Sequence, residues 1–345
     1  MPNLSMISEK AITIAQAAVL LELLTDAGDT VMMWGAPGVG KTDIVAQLGA
    51  KKKRKVISFH AALRETVDLR GIPHVVDGKT VWVVPDELPN AERDGEFGYL
   101  FCDEINQASP QMQAVLGGLI LEGKVGDYRL PPGWRVICAG NRVSDRAAAQ
   151  RMPTHLRNRM AHLFIEPDVD AWVKWANAAG VAPEVVAWVR LRRGENNGQG
   201  VLHVMPKGDE NAFPTCRSVT KAAKHVGAPK EHRMRLFASL IGDAYAADLD
   251  GFIELYRSIG ALEDIIANPD KANVPTEPSL RYAVCTGLGR LATRKNFGAI
   301  IKYAQRLNRE SEILVVTDAT GRDETLKNVA CYGEWASRNS DLTVQ

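Results

Sequence analysis

Short apolar runs alternate with segments of helical periodicity in the first half of the chain. Five runs of mostly apolar residues predict buried strands, at residues 31–34, 56–60, 99–102, 134–139 and 161–165. Four segments space their apolar positions as one face of a helix does, at residues 11–24, 43–50, 109–122 and 147–158. Strands that alternate with helices predict a parallel sheet covered by helices on both faces.

Turn-forming residues interrupt this alternation at two places. Residues 75–84 form two short apolar segments around Asp77-Gly78, a dipeptide that strongly predicts a β-hairpin. Residues 123–132 are also rich in turn-forming residues and separate a predicted helix from the next strand. At the start of that helix, we expect Ser109 to cap the first turn and Pro110 to occupy its first position.

The pattern changes after Glu166-Pro167. Beyond this point apolar residues recur at helical spacing and strand signals become scarce. A polar, proline-containing stretch at residues 268–278 marks a second, weaker boundary, and helical segments follow at residues 280–306 and 323–337. We therefore expect an α/β domain at residues 1–167, a helical domain at residues 168–265 and a helical C-terminal extension at residues 266–345.

The composition limits which cellular compartment and which classes of binding partner are expected, but it does not indicate what reaction the protein performs. The 345 residues carry 42 Lys and Arg against 41 Asp and Glu, so a net charge of +1 gives no global reason to expect nucleic acid or membrane binding. The five cysteines show no C-x-x-C spacing, which favours reduced thiols over a disulfide framework or a zinc site. The N-terminus lacks a signal-peptide pattern and no apolar stretch reaches the ~18 residues of a membrane span, so we expect a cytoplasmic protein.

The strongest chemical signal follows the first predicted strand. Its pattern is G-x-x-x-x-G-K-[ST], formed by Gly35, Ala36, Pro37, Gly38, Val39, Gly40, Lys41 and Thr42. In such a loop the backbone N–H groups surround a phosphate, and the following helix directs the positive end of its dipole at the same anion. Lys41 would reach the β- and γ-phosphates, and the Thr42 hydroxyl would bind Mg²⁺. The sequence therefore predicts a nucleoside triphosphate site.

Two further strands end in polar residues that suit hydrolysis. Asp103 and Glu104 follow the apolar run at residues 99–102, and Asn141 follows the run at residues 134–139 after Gly140. Two adjacent carboxylates at a buried strand end are costly without a cation, so a metal–phosphate site explains them well. We expect Asp103 to support Mg²⁺ and Glu104 to act on the attacking water. Asn141 could orient that water or contact the γ-phosphate without adding charge.

Together these motifs resemble the AAA+ ATPases, and their details resemble the MoxR-type branch, which includes activators of Rubisco and of nitric-oxide reductase. The resemblance covers roughly residues 10–225. The segments that carry the branch resemblance lie at residues 67–73, 82–89, 119–125 and 128–131. The resemblance implies two hairpin insertions, a P-loop αβα sandwich with strand order 5-1-4-3-2 and a helical lid. The helical C-terminal extension is expected from the periodicity of its residues alone.

The resemblance also implies roles for individual residues. Asp103-Glu104 corresponds to the Walker B acids, and Asn141 to sensor 1. The segment 156–160 resembles the segment that bears the arginine finger, with Arg159 the better match and Arg157 the reserve, although Met160 replaces the usual aromatic residue. The segment 214–218 resembles sensor 2, with Arg217 expected to touch the γ-phosphate.

The implied assembly is a homo-oligomeric ring, most simply a hexamer. Each site would bind ATP and Mg²⁺ in one subunit and receive an arginine from the next. The resemblance further implies a client protein that the ring remodels, together with a von Willebrand factor A-domain partner.

Three functions remain open from the residues alone. The favoured one is an ATPase that remodels a partner protein. The second is a DNA-directed AAA+ motor or loader, and the third is a nucleotide-regulated scaffold without hydrolysis, which the intact Glu104 disfavours. The basic run at residues 51–55 has three interpretations: a solvated helix end, a nucleic-acid contact or a nuclear import signal. The helix end is favoured because cations stabilise a helix C-terminus.

Overall fold

The structure is a computed structural model, and it describes residues 11–142, 152–206, 208, 210–258 and 262–339. The chain divides into two compact units. The first comprises Met1–Ala171 with Thr215–Arg217, and the second comprises Trp172–Pro214 with Ser218–Gln345.

The first unit alternates strands and helices. In chain order its elements are α1 (Ile14–Ala27), β1 (Val31–Trp34), α2 (Lys41–Lys52), β2 (Lys55–His60), α3 (Thr66–Arg70), β3 (Ile72–Val76), β4 (Lys79–Val83), α4 (Ala91–Asp94), β5 (Phe97–Asp103), α5 (Pro110–Glu122), β6 (Lys124–Val125), β7 (Tyr128–Arg129), β8 (Gly133–Gly140), α6 (Thr154–Arg157) and β9 (Ala161–Phe164). The predicted helix at residues 147–158 lies partly outside the described residues, and α6 is its described part.

Five of these strands form one parallel sheet in the order β2-β5-β8-β1-β9. Numbered among themselves along the chain, the five strands read 5-1-4-3-2 across the sheet from the β9 edge. The predicted P-loop fold with its parallel sheet is therefore confirmed. Because all five strands are parallel, their carboxyl ends lie at one edge of the sheet, and the polar residues that follow them can meet there.

Alternate residues of each strand supply the two faces of the sheet. On one face, Met32, Leu100 and Cys138 belong to a core that contains Met112 and Leu116 of α5. On the other face, buried strand residues pack in a second core with helix residues: Val31, Met33, Phe101 and Ile137 with Ala17 and Leu21 of α1 and Ile44 and Val45 of α2. Each fully buried aliphatic side chain contributes about 1.5–3 kcal/mol to folding. The helices on both faces therefore support the sheet beneath its carboxyl edge.

Two small antiparallel hairpins extend the sheet domain. Strands β3 and β4 pair with Val76 opposite Lys79, so Asp77 and Gly78 form the turn. Both turn residues have positive φ, 50° and 73°, as the tight hairpin turn requires. This hairpin was predicted and is confirmed. Strands β6 and β7 form the second hairpin within the turn-rich segment at residues 123–132.

The basic run at residues 51–55 closes α2 and opens β2. Lys51 and Lys52 occupy the last turn of α2 and pair with Glu22 of α1, and Lys52 also pairs with Asp26. Lys55 begins β2 and pairs with Asp94. The prediction of a helix end is therefore confirmed.

The second unit is built from helices. The helices from residue 169 onward, of which α7 and α9 have their first residues in the first unit, are α7 (Val169–Ala178), α8 (Pro183–Leu191), α9 (Cys216–Ala223), α10 (Lys230–Ile241), α11 (Asp243–Ser258), α12 (Leu262–Ala267), α13 (Pro278–Leu291), α14 (Phe297–Ala304), α15 (Arg309–Arg322) and α16 (Ala330–Arg338). One core of this unit joins Leu288 of α13, Ile300 of α14, Val315 of α15 and Trp335 of α16. None of the helices in the described parts of the chain combines the length and hydropathy that a bilayer crossing requires.

Candidate functional site

The glycine-rich loop joins β1 to α2 at the carboxyl edge of the sheet. Gly38 and Gly40 have φ of 80° and 102°, in the left-handed region that favours glycine. At Gly35 a Cβ atom would lie 2.8 Å from the backbone oxygen of Ile165, so no larger residue fits there without a shift. Helix α2 begins at Lys41, and its first backbone N–H groups have no acceptors within the helix. The loop therefore presents backbone donors in a conformation that its glycines allow.

Lys41 lies beneath the loop with only 8% of its surface exposed. Its Nζ donates to the backbone oxygens of Gly35 and Ala36 at 2.6 and 3.1 Å. The same ammonium donates to Oδ1 of Asn141 at 3.2 Å. The structure thus brings together two predicted site residues that lie 100 positions apart in the sequence.

Thr42 and Asp103 form a second contact across the site. The Thr42 hydroxyl donates to Oδ2 of Asp103 at 3.3 Å, and the other carboxylate oxygen accepts from the backbone N–H of Glu104 at 2.9 Å. Asp103 ends β5, as predicted. A hydroxyl and a carboxylate are the oxygen ligands that Mg²⁺ uses together with phosphate oxygens and water.

Glu104 follows β5 with an unusual backbone conformation. Its φ is 55°, in the left-handed region that residues with a Cβ seldom adopt. Such a conformation costs about 1–3 kcal/mol and persists only where the surroundings impose it, often at functional sites. A short 3₁₀ turn, Ile105–Gln107, follows immediately. The strained residue therefore lies where the chain leaves the strand beside Asp103.

Asn106 is a site residue that the sequence analysis missed. Its side chain is fully buried, its Nδ2 donates to the backbone oxygen of Asn141 at 2.8 Å, and its Oδ1 accepts from the backbone N–H of Asn141 at 3.2 Å. This pair of hydrogen bonds fixes the backbone of Asn141. Gly140 permits it, because a Cβ there would lie 2.3 Å from Oδ1 of Asn106. The sequence signal was weak, since a lone Asn after two acids more often marks a turn.

The three predicted arginines lie on exposed surface. Arg157 ends α6, and Arg159 lies in the turn that follows, between the buried anchors Leu156 and Met160. Arg217 lies beside the loop, because a Cβ on Gly38 would be 3.0 Å from the Cβ of Arg217.

Cys102 and Cys138 are register partners on β5 and β8, just beneath Asp103 and Asn141. Both are fully buried. A hydrogen bond with Cys102 and burial together raise the pKa of the Cys138 thiol well above its usual value. Since the thiolate is the reactive form, Cys138 serves as an inert apolar residue beneath the site.

Residues 30–160 match the family model of the AAA domain (dynein-related subfamily). This match covers the loop, the acidic strand end, Asn141 and the exposed arginines at residues 157 and 159. The segment is therefore similar to AAA domains. No curated protein matches the chain.

Solved structures with a similar arrangement share little sequence with this chain. NtrX from Brucella abortus in complex with ADP is 13% identical, over 97% of this chain and 70% of that chain, with a TM-score of 0.41. A point mutant of RuvB from Thermotoga maritima is 16% identical, over 80% of this chain and 81% of that chain, with a TM-score of 0.40. A putative ATPase from Cytophaga hutchinsonii is 13% identical, over 95% of this chain and 89% of that chain, with a TM-score of 0.36.

Proposed function

We propose that the protein is a Mg²⁺-dependent ATPase that acts as a ring and remodels a partner protein. The observation that supports this most is the convergence of the loop lysine, the acidic strand end and Asn141 at one edge of the sheet. Lys41 bonds to Asn141, and Thr42 bonds to Asp103. A structural role alone does not require these four residue types at the carboxyl ends of three parallel strands.

The residues present fit a triphosphate and its metal. The left-handed glycines and the backbone N–H groups at the start of α2 suit phosphate oxygens. Asp103 and Thr42 would hold the metal with one carboxylate and one hydroxyl, and Lys41 would bind the β- and γ-phosphates. Bound Mg²⁺ would offset the negative charge of the phosphate oxygens.

Glu104 is the proposed general base. In this role its carboxylate accepts a proton from the water that attacks the γ-phosphorus, while Asn141 orients that water or the γ-phosphate by hydrogen bonds. The backbone strain at Glu104 supports the assignment, because strained residues concentrate where function requires a particular side-chain direction. Asn106 would keep Asn141 in place through its two backbone contacts.

Arginines complete the proposed site. Arg217 lies next to Gly38 and would contact the γ-phosphate of its own subunit. Arg159, with Arg157 as the alternative, would act on the nucleotide of the neighbouring subunit, and their exposure on the described surface suits that role. Arginines that act in this way raise phosphoryl-transfer rates by about 10³–10⁵-fold. Hydrolysis would therefore require assembly, most simply as a hexameric ring.

The MoxR-type branch remains our proposal for the place of this protein among AAA+ ATPases. Its support is the pair of hairpins, β3-β4 and β6-β7, at the two places where that branch carries insertions.

We propose that residues 1–167 bind the nucleotide, residues 168–265 form the lid and residues 266–345 form the C-terminal extension. The conformational changes driven by ATP hydrolysis would remodel a client protein, together with a von Willebrand factor A-domain partner. A cytoplasmic location suits the reduced cysteines.

The DNA-directed alternative receives less support. Its sequence basis was the basic run at residues 51–55, and Lys51, Lys52 and Lys55 each pair with a carboxylate. Charges already paired in this way contribute less to binding a phosphate backbone. Duplex DNA that stimulates turnover, with a steep loss on adding salt, would favour this alternative.

Phosphate release by the purified protein, with Mg²⁺ and with excess EDTA, tests the proposal. We expect Mg²⁺-dependent hydrolysis that Lys41→Ala lowers at least ~10²-fold. Lys51→Ala, on the same helix but at its other end, is the matched control and should retain the parent rate. A parent protein that neither binds a fluorescent ATP analogue nor releases phosphate at any concentration that permits assembly would overturn the proposal.

A further inference from the structure

A histidine connects the strand that enters the glycine-rich loop to the turn that carries the two exposed arginines. His162 lies on β9, next to β1 in the sheet, on the same face as Trp34 and Phe164. The Trp34 ring stacks near those of His162 and Phe164, with centroids 6.1 and 6.3 Å away. Trp34 is the last residue of β1, directly before Gly35.

The two ring nitrogens of His162 have different partners. The indole N–H of Trp34 donates to Nδ1 at 2.9 Å, and Nε2 lies 2.8 Å from the backbone oxygen of Arg157. Because an indole nitrogen only donates and a carbonyl oxygen only accepts, both contacts select the neutral tautomer with its proton on Nε2. His162 therefore donates to the Arg157 oxygen while its other nitrogen is held by Trp34.

The bonded oxygen belongs to the turn that presents the arginines. The backbone N–H of Met160 also donates to the Arg157 oxygen, at 3.3 Å, so this oxygen closes the turn around Arg159. Leu156 and Met160 anchor the same turn in the core. The last carbonyls of a helix have no partner within it, and a side-chain donor at this point fixes how the chain leaves α6. The His162 bond therefore adds a polar restraint on the turn to that of its apolar anchors.

We infer that His162 is a positioning residue that holds the turn bearing Arg157 and Arg159 in place for its action on the neighbouring subunit. This inference rests on the proposed ATPase and on its arginine in trans. The ring nitrogens of His162 contact the Trp34 indole and the Arg157 backbone oxygen. Its effect would arise from geometry, since a displacement of about 1 Å at a catalytic group can lower a rate up to ~10²-fold.

Three single variants separate the bonds from the ring stack. His162→Phe keeps an aromatic ring and removes both hydrogen bonds, and we expect kcat to fall about 10-fold with KM for ATP changed less than about 3-fold. His162→Gln can place an amide donor near the former Nε2 position and should recover part of the loss. Phe164→Leu is the matched control, because it disturbs the same stack without removing either bond, and it should stay within about 2-fold of the parent.

Mixed rings show on which subunit His162 acts. A site needs the loop of one subunit and the arginines of the next. In an equal mixture of His162→Phe and Lys41→Ala subunits, an intact site has the loop of a His162→Phe subunit and the arginine-bearing turn of a neighbouring Lys41→Ala subunit. The rate per subunit should then rise about 2–3-fold above that of His162→Phe alone. A mixture of His162→Phe with the double variant Arg157→Ala/Arg159→Ala should instead fall to about half.

The opposite pattern, a rise only with the double arginine variant, would overturn the inference, because it would place the defect in the subunit's own loop. If the parent is active and rings of the His162→Phe protein show the same full activity, the inference is overturned and the proposed function stays intact. A His162→Phe protein that no longer co-assembles with tagged parent would assign the residue to the interface and likewise contradict the inference. An inactive parent would overturn the proposed function itself and the inference with it.

Discussion

Buried polar groups serve different purposes in the α/β unit and in the helical unit. In the α/β unit, Lys41, Asn106 and Asn141 are buried near the carboxyl ends of the strands. Lys41 bonds to the Asn141 side chain and to backbone oxygens, and Asn106 bonds to the backbone of Asn141. In the helical unit, buried charge joins helices. Arg233 of α10 is 1% exposed and pairs with Asp250 and Glu254 of α11, and Arg190 of α8 pairs with Asp318 of α15.

This difference distinguishes a site from a structural contact. Arg233 and Arg190 of the helical unit each face an opposite charge within the chain, so these interactions are formed in the folded protein. The strand ends of the α/β unit instead gather donors and acceptors around a glycine loop that suits an anion. We therefore expect substitutions of the side chains that face the nucleotide, such as Glu104, to change activity at nearly constant stability. Substitutions of the buried charges in the second unit should change stability at nearly constant nucleotide affinity.

Glu104→Gln should give the largest separation of activity from stability. The amide keeps the shape of the side chain but cannot accept a proton, so we expect hydrolysis to fall about 10²–10⁴-fold with ATP binding retained. Phosphate release and binding of a fluorescent ATP analogue, measured on the same preparation, check this. Hydrolysis at the parent rate would remove Glu104 from the role of general base.

Asn106→Ala should affect both properties. It leaves the buried N–H and oxygen of Asn141 without their side-chain partner, so we expect a loss of about 1–3 kcal/mol in the free energy of unfolding. Hydrolysis should fall about 10-fold as Asn141 shifts. Gln113→Ala is the control, because Gln113 is a buried amide that bonds to the backbone oxygen of Ala108 instead. Equal kinetic effects of the two variants would argue against a positioning role for Asn106.

Arg233→Met should change stability alone. Removal of the guanidinium leaves Asp250 and Glu254 without their buried partner, and because both carboxylates are partly solvated we expect about 2–3 kcal/mol of destabilisation by urea unfolding. Arg235→Met, an exposed position on the same helix, should cost less than about 0.5 kcal/mol. Nucleotide affinity of the folded Arg233→Met protein should stay within about 2-fold of the parent. A larger change in nucleotide affinity would contradict the expectation that Arg233 in the second unit contributes to stability alone.

The smallest effect is a dependence of stability on pH. Hydrogen bonds from Arg233 and Lys230 lower the pKa of Glu254 from 4.5 to about 2. A carboxyl group whose pKa is lowered by folding contributes stability that is complete above its unfolded pKa and is lost as the pH falls through its folded pKa. The parent should therefore lose this contribution between about pH 5 and pH 2, and the destabilisation by Arg233→Met should shrink over the same interval. A constant difference between parent and variant across this interval would show that Glu254 is not coupled to Arg233.

The sequence predicted the elements that depend on local patterns. The loop glycines, the acids Asp103 and Glu104 at the end of β5 and Asn141 after β8 follow from motifs and from the rule that parallel strands end at one edge. The hairpin at Asp77-Gly78 follows from turn chemistry. The assignment of the basic run to a helix end follows from the dipole, and Glu22 and Asp26 of α1 provide its partners.

Contacts between distant positions could not be predicted in the same way. Asn106 bonds to Asn141 across 35 positions, and Trp34 bonds to His162 across 128. Neither contact leaves a periodic signal in the sequence, because a single polar residue beside a strand is compatible with many local conformations. Their identification depends on the strand order, which places β5 beside β8 and β1 beside β9.

The central claim is that ATP bound by one subunit's loop is hydrolysed with an arginine from the next. The most direct test mixes Lys41→Ala subunits with Arg157→Ala/Arg159→Ala subunits, each inactive alone, and measures phosphate release after co-assembly is verified by differential tags. An equal mixture leaves one interface in four with an intact loop and an intact arginine turn, so we predict about a quarter of the parent rate. Co-assembled mixtures with no more activity than either variant alone would contradict the account.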